Sequence, residues 1–287
     1  MKNILVTGSK GFIGKNLLPK LIELNYNVIE FSGDITEENS YKKLENVNFE
    51  HCFHLAAKLY VPHSWINPDD FIKTNVYGTE KILELCRRKK ASLTFMSSYL
   101  YGVPKQLPIS ENHPLQSTNP YAFSKYMAEE ICRFYSEFYK LKIDILRPFN
   151  IYGPQQDLRF LIPTLIEQFL NDSKEIVIMD LTPKRDYVFI SDVIEALILT
   201  LKTKEASRIL NIGSGYSLSV AEIIEQIKKV TGINKKIKSA NEIRVNEIPN
   251  TIADISYAGK SLGWKPKVSF EDGIRLVLEQ HKNPNKN

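Results

Sequence analysis

The sequence is short of the features that announce a special environment. Only three cysteines occur in 287 residues, Cys52, Cys86 and Cys132, odd in number and far apart. That argues against a disulfide framework and against a metal site built on cysteine, and it fits a reducing cytoplasm. No apolar run approaches the roughly 18 residues needed to cross a bilayer. Met1-Lys2-Asn3 leads straight into a short apolar segment, without the core of a signal peptide. Strong charge of one sign is also missing, the net balance being +5. The basic stretch Lys235-Lys236-Ile237-Lys238 and the tail from Lys282 to Asn287 carry no interleaved aromatics, so they read as solvated surface and not as a nucleic-acid site. Repeats and low-complexity linkers are absent. With 43% hydrophobic and 25% charged residues, the chain is expected to be a soluble globular protein of one large or two smaller domains.

What is present is an alternation. Asn3 to Thr7, Asn27 to Phe31, His51 to Leu55, Leu93 to Ser97 and Ile143 to Leu146 read as buried strands. Between them lie amphipathic stretches such as Phe12 to Leu24, Asp70 to Arg88 and Ala122 to Tyr139. Strands alternating with helices predict an α/β fold with a parallel sheet covered on both faces. After Asn150 the alternation loosens, with Ile209 to Ile212 and Ala253 to Ile255 as further short strands. This predicts a smaller α/β domain interwoven with the first: residues 1–154 with 187–213 form one unit, and 155–186 with 214–287 the other.

Gly8-Ser9-Lys10-Gly11-Phe12-Ile13-Gly14 follows the first strand and opens the first helix. Glycines there let the turn tighten and let backbone approach a pyrophosphate, and the helix start offers unpaired N–H groups and a favourable dipole. The loop therefore predicts dinucleotide binding on a Rossmann-type doubly wound sheet. An acidic residue at the end of the second strand would bind the adenosine ribose and repel a 2′-phosphate. Glu30 is near, but strand alternation puts Ser32 closer to that place, and Lys10 is positioned to neutralise a 2′-phosphate. The cofactor expected is NADP(H) or NAD(H), with Ser32 and Lys10 favouring NADP(H). Asp34-Ile35 is expected at the adenine edge.

Three Tyr-x-x-x-Lys pairs occur: Tyr77/Lys81, Tyr101/Lys105 and Tyr121/Lys125. Gly102 and Pro104 break any helix across the second, and Tyr77 has no strand-end hydroxyl just upstream. Tyr121 follows Asn119-Pro120, a helix start, so Lys125 falls one turn away on the same side. Ser97 ends the fourth strand at the carboxyl edge, where such sheets bind ligands. A free tyrosine is a poor base near neutrality, and a neighbouring ammonium would lower its pKa. Ser97, Tyr121 and Lys125 are thus the expected catalytic set, with Ser97 bonding the reacting oxygen and Lys125 also holding the nicotinamide ribose.

At this point the chain resembles the extended short-chain dehydrogenase/reductase family, in its nucleotide-sugar epimerase, dehydratase and reductase group. The resemblance runs almost end to end. It rests on the glycine loop, His54-Leu55-Ala56-Ala57, Thr74-Asn75-Val76-Tyr77-Gly78-Thr79, Ser97-Ser98-Tyr99-Leu100-Tyr101-Gly102, Arg147-Pro148-Phe149-Asn150-Ile151-Tyr152-Gly153-Pro154, Arg185-Asp186-Tyr187, Asn211-Ile212-Gly213-Ser214-Gly215 and Leu262-Gly263-Trp264-Lys265-Pro266. It implies that Leu55, Ala56, Ala57, Asn75 and Pro148 line the cofactor. It also implies that Ser98, Asn150, Arg159, Arg185 and Arg244 meet a nucleotide-diphosphate sugar, the arginines because a guanidinium pairs two phosphate oxygens. A homodimer is implied too. Ser98 and Tyr99 stand where 4,6-dehydratases carry acids, which argues against dehydration. The shortened link from the second strand to Gly33-Asp34-Ile35, the runs Val61 to Trp65 and Gly153 to Pro163, and Ser32 are similar to GDP-4-keto-6-deoxymannose reductases. The expectation is therefore a 4-keto nucleotide-sugar reductase, with a 4-epimerase as the alternative and a redox-inactive dinucleotide sensor as a remote third.

Overall fold

The computed structural model describes residues 1–203, 207–242 and 247–282. Five strands open the chain: β1 (Asn3–Thr7), β2 (Asn27–Glu30), β3 (His51–His54), β4 (Ser92–Met96) and β5 (Ile143–Pro148). With the later strand Arg208–Ile212 they form one parallel sheet, running in space from Arg208–Ile212 through β5, β4, β3 and β1 to β2. Successive strand residues face opposite sides, and β1 shows the consequence. Ile4 and Val6 enter one core with the Phe12–Glu23 and Ile190–Thr200 helices, while Leu5 enters another with the Gly78–Lys89 and Pro120–Tyr139 helices. Both faces are thereby dry, as a parallel sheet requires.

The chain leaves β1 toward β2 on one side and reaches β3 on the other, so the order reverses at β1 and opens a crevice beyond Thr7 and His54. No strand lies outside β2 among the described residues. In its place the chain turns at Gly33 (φ 129°), makes one 3₁₀ segment, Glu38–Leu44, and re-enters the sheet at His51. Tyr41 closes this short connection by donating its hydroxyl to Ile35 O at 2.6 Å and packing edge-on against Phe31.

Residues after the fifth strand add small strand pairs to the carboxyl side: Asn150–Tyr152 with Tyr187–Phe189, Glu175–Ile178 with Lys236–Ser239, and Lys184–Arg185 with Leu218–Ser219. One expectation needs correction here. Ala253 to Ile255 forms no strand; Ala253 makes a single bridge to Ile109, and Asp254 N–H donates to Ile109 O at 2.8 Å. Its backbone is spent on a loop and on Asp186, which accepts Ala253 N–H at 3.0 Å. The Asp70 to Arg88 stretch is helical but not uniform, with a π turn at Ile72–Tyr77 between two α segments.

Candidate active site

The crevice at the end of β1 is built to touch backbone. Gly8 has φ 68°, and a Cβ there would lie 2.7 Å from Ala56 N. Its carbonyl accepts Gly11 N–H at 3.0 Å. At Gly14 a Cβ would meet Gly8 O at 2.4 Å, so the helix can sit against the loop only without a side chain. The helix begins at Phe12 with Gly11 as N-cap and no side-chain cap, leaving first-turn N–H groups beside the loop. A fully buried relay fixes the opposite wall. Thr7 Oγ1 accepts Leu55 N–H at 3.2 Å and Ala56 N–H at 3.1 Å, so its proton goes to His54 Nδ1 at 2.7 Å. Thr79 Oγ1 donates to Asn75 O at 2.6 Å, which leaves it to accept from His54 Nε2 at 2.9 Å. Burial holds His54 neutral by lowering its pKa to about 3. This tight cradle fits a dinucleotide, with Gly8, Gly11, Phe12, Ile13, Gly14, Leu55, Ala56 and Ala57 as its walls.

At the adenosine end, the ladder continues one residue past β2 through Phe31 N–H to Val6 O at 2.9 Å, which makes Ser32 the first residue beyond it. Ser32 and Lys10 are both exposed. Asp34 Oδ1 accepts Thr36 N–H and Thr36 Oγ1, each at 2.8 Å, and these bonds hold its carboxyl below the usual range. Ile35 is buried against Gly78, where a Cβ would lie 2.6 Å from its Cδ1.

The Pro120–Tyr139 helix, which carries Tyr121 and Lys125, starts as its sequence demands. Asn119 Oδ1 accepts Ala122 N–H at 2.8 Å, and Pro120 occupies the first helical position. Asn75, 1% exposed, clamps this helix to the crevice wall. Its Oδ1 accepts Lys58 N–H at 2.8 Å, and its Nδ2 donates to Lys58 O and to Ser124 Oγ, both at 2.9 Å. The π turn that presents Asn75 is the irregularity by which helices commonly aim a side chain at a site.

Tyr121 and Lys125 share the helix face as expected, but their electrostatics differ from the sequence reading. Lys125 Nζ donates to Met96 O at 2.5 Å and sits 4.1 Å from the centre of the Phe95 ring. Burial lowers its pKa to about 8, with Cys132 and Glu129 working against the shift. The Tyr121 phenol is not brought down by that ammonium. Burial raises it, and Ser98 alone pulls it back. The physical reason is that loss of water disfavours both charged forms, and the lysine in this arrangement points at the β4 carbonyl.

Ser97 is the first residue after β4, its N–H still bonded to Leu146 O at 2.8 Å, and its side chain turns to the Pro120–Tyr139 helix, donating Oγ–H to Glu129 Oε1 at 2.5 Å. Glu129 is fully buried and pairs with Arg147, whose Nη2 donates to Oε2 at 2.6 Å. Arg147 Nη1 then reaches Tyr101 OH at 3.0 Å, and Tyr101 donates to Asn211 Oδ1 at 2.5 Å. Tyr101, the member of a rejected Tyr-x-x-x-Lys pair, is thus a buried structural tyrosine. Lys81, in the other rejected pair, lies over the Tyr77 ring and pairs with Glu38. Glu129 was not singled out from sequence, although its place one turn beyond Lys125 is visible there. Asp186 was not singled out either: fully buried, it accepts from Ser214 N at 2.6 Å, Gly215 N at 3.0 Å and Ala253 N at 3.0 Å, and so ties the turn after Ile212 to Ala253.

A cavity of ≈ 200 Å³ is lined by Asn150, Arg185, Tyr187, Met179, Glu242 and Glu247, among others. Asn150 Nδ2 donates to Asp186 O at 3.2 Å. Arg185 pairs with Glu247 and donates to Lys184 O at 2.8 Å. Arg159 is held by Asp157 at 2.6 Å and stacks over Tyr60 at 4.7 Å from the ring centre. Pro148 closes β5, buried. Arg244 lies outside the described residues.

A reversal crevice with a glycine loop, beside a helix that carries Tyr121 and Lys125, has the form of a dinucleotide-binding protein. The comparisons agree, and the chain belongs to the NAD dependent epimerase/dehydratase family, whose pattern matches residues 4–213. A Methanocaldococcus jannaschii protein under the provisional name UDP-glucose 4-epimerase is 35% identical, over 99% of each chain. The Thermotoga maritima UDP-glucose 4-epimerase, solved with UDP-glucose, superposes with a TM-score of 0.93 at 30% identity, over 99% of this chain and 100% of that one. RMD from Pseudomonas aeruginosa, complexed with NADPH, gives 0.92 at 25% identity, over 99% and 100%.

Proposed function

We propose that the protein is a nucleotide-sugar 4-epimerase, in place of the reductase expected from sequence. The observation that carries this is the end-to-end likeness to UDP-glucose 4-epimerases, joined to a site with no acid at Ser98 or Tyr99. Tyr99 has its hydroxyl committed to Gly102 O at 2.6 Å, so neither residue can serve as the acid–base pair of a dehydratase.

The glycine loop, Leu55 to Ala57 and Asn75 would hold the dinucleotide, and its nicotinamide, when bound, supplies a reversible hydride acceptor. Tyr121, as phenolate, takes the proton of the sugar 4-hydroxyl as the 4-ketone forms, then returns it to the same oxygen once the ketone has turned over in the site. Lys125, one turn along the helix, would hold the nicotinamide ribose, and the crevice walls keep water from the ketone. Arg185 and Asn150 face the diphosphate from the second cavity, with Arg159 and Arg244 as further contacts. In this reading residues 1–154 with 187–213 carry the cofactor, and 155–186 with 214–287 the sugar nucleotide.

A second reading has its own observation. Ser32, and not an acid, is the first residue beyond the β2 ladder, and the exposed Lys10 lies in the glycine loop, an arrangement that accepts a 2′-phosphate and suits a reductase drawing on NADPH. One experiment separates the two. UDP-glucose is incubated with the protein, and the product is resolved by anion-exchange chromatography and NMR. Appearance of the 4-epimer with no net consumption of added reduced cofactor supports epimerisation. Stoichiometric loss of the reduced-nicotinamide band with a 4-keto-6-deoxy sugar nucleotide, and no epimer from UDP-hexoses, overturns it in favour of the reductase.

A further inference from the structure

Behind the crevice the buried polar groups form one connected chain, and every hydrogen bond in it runs the same way. Ala56 N–H, on the cradle wall, donates to Thr7 Oγ1 at 3.1 Å, and Thr7 meets His54 Nδ1 at 2.7 Å. On the far side of the ring, His54 Nε2 meets Thr79 Oγ1 at 2.9 Å, and Thr79 donates to Asn75 O at 2.6 Å. From the same asparagine, Nδ2 donates to Ser124 Oγ at 2.9 Å, and Ser124 donates to Tyr121 O at 2.8 Å. Thr7, His54, Thr79, Asn75 and Ser124 are each 1% exposed or less. The chain thus begins at the cradle and ends on the main chain of the tyrosine.

The imidazole is the member that sets the direction. Thr7 Oγ1 has both lone pairs taken by Leu55 and Ala56 N–H, so it can only donate to His54. Thr79 has its single proton on a backbone carbonyl, so it can only accept from His54. Both neighbours therefore demand a neutral ring with its proton on Nε2 and a bare Nδ1. The opposite tautomer would leave the Thr7 proton without an acceptor and Thr79 without a donor, deep in the protein. A charged ring is disfavoured as well. The imidazole is buried, Phe95 packs on it at 5.7 Å between ring centres, and the Lys125 ammonium sits 4.1 Å from that same Phe95 centre.

We propose that His54 is a positioning residue for two sites at once. Through Thr7 it fixes the Leu55–Ala56 wall of the cradle, and through Thr79 and Asn75 it fixes the start of the helix that carries Tyr121. The kinetic consequence rests on the proposed 4-hydroxyl chemistry; the consequences for dinucleotide binding and for the tautomer do not.

Two substitutions in the full chain separate the two ends. His54→Phe keeps the ring volume and removes both bonds, whereas His54→Asn keeps an acceptor near the Nδ1 position and stops short of Thr79. Binding of NADH and of NADPH is followed by fluorescence titration, and turnover of UDP-glucose is measured at saturating dinucleotide. His54→Phe should raise the dinucleotide Kd about tenfold, the effect of stranding a buried hydroxyl. It should also lower kcat about 10- to 100-fold with little change in KM for the sugar nucleotide, because a shifted helix start misplaces the reacting groups. His54→Asn should return Kd to within about threefold of wild type while kcat stays low, since only the Thr7 end is mended. Equal dinucleotide binding by the two variants, or wild-type kcat in either, overturns the proposal. Variants that differ from wild type only in urea unfolding mark His54 as packing alone and overturn it too. Should His54→Phe not fold, the wild type still decides. NMR of nitrogen-labelled histidine near neutral pH should show the His54 signal, assigned by its loss in His54→Asn, as the neutral Nε2–H tautomer. The Nδ1–H tautomer or a charged ring overturns the proposal. If the wild type turns over no sugar nucleotide, the functional reading fails while the binding pair and the tautomer still decide the histidine.

Discussion

Burying the Lys125 ammonium depresses its pKa from the ordinary 10.5 to about 8. Between those values the unfolded chain binds the proton that the folded chain has lost, so stability from this group rises with pH across the window. Below pH 8 the folded protein carries a buried charge at a cost of roughly 3 kcal/mol. Lys125→Met should therefore be more stable than wild type at pH 7 and lose that advantage between about pH 8 and 10.5, as urea unfolding at stepped pH would show. A difference that grows with pH would contradict the assignment. Arg147 gives the opposite case. Its pair with Glu129 is sealed from water on both sides, and removing one partner strands a charge. Arg147→Met should destabilise by about 3–5 kcal/mol, and adding Glu129→Leu should recover much of the loss. Chemical denaturation of the two variants checks both directions.

Elements place these residues, and backbone freedom decides where an element can begin. Gly8→Ala puts a side chain at φ 68° and within 2.9 Å of three backbone atoms of Leu55 and Ala56. Gly232, at φ 71°, has nothing within 4 Å of its would-be Cβ. Both substitutions carry the left-handed strain of about 1–2 kcal/mol, but only the first pushes the crevice open. Gly8→Ala should weaken dinucleotide binding by about tenfold or more, and Gly232→Ala should leave it unchanged, as followed by fluorescence titration. Much of this level is legible in the sequence. The loop is readable because glycine at that spacing has few other uses after a strand, and Asn119-Pro120 marks the catalytic helix by capping chemistry that is purely local. The rest is not local. Ala253 to Ile255 looks like a strand because two apolar residues flank the polar Asp254 in strand alternation, yet no neighbour offers it a ladder. The direction of the Lys125 ammonium and the capture of Ser97 by Glu129 depend on how β4 packs on the helix. The same holds for the choice between epimerase and reductase, which resides in the shape of a pocket assembled from distant segments.

The molecule as a whole leaves an aromatic stripe on the outer side of its catalytic helix. Phe123, Phe134 and Phe138 are 48%, 49% and 62% exposed, and Tyr77 on the neighbouring helix is 44% exposed. In the homodimer that the family resemblance implies, a second copy would cover this stripe. Phe134→Glu should then convert a dimer into a monomer in sedimentation, and a wild type that already sediments as a monomer would dismiss the interface. Because the same helix bears Tyr121 and Lys125, the monomeric variant should also lose activity.

The missing strand outside β2 has an effect on solubility. With no partner on its outer side among the described residues, β2 exposes a row of backbone donors and acceptors, the template by which sheets grow from one molecule to the next. What blunts it is brevity, four residues, with Asn27 and the charged Glu30 exposed at its ends. Substituting Glu30 by a β-branched residue removes the one charge within that strand. The rim that shortening left bare would then be the place where this protein begins to polymerise.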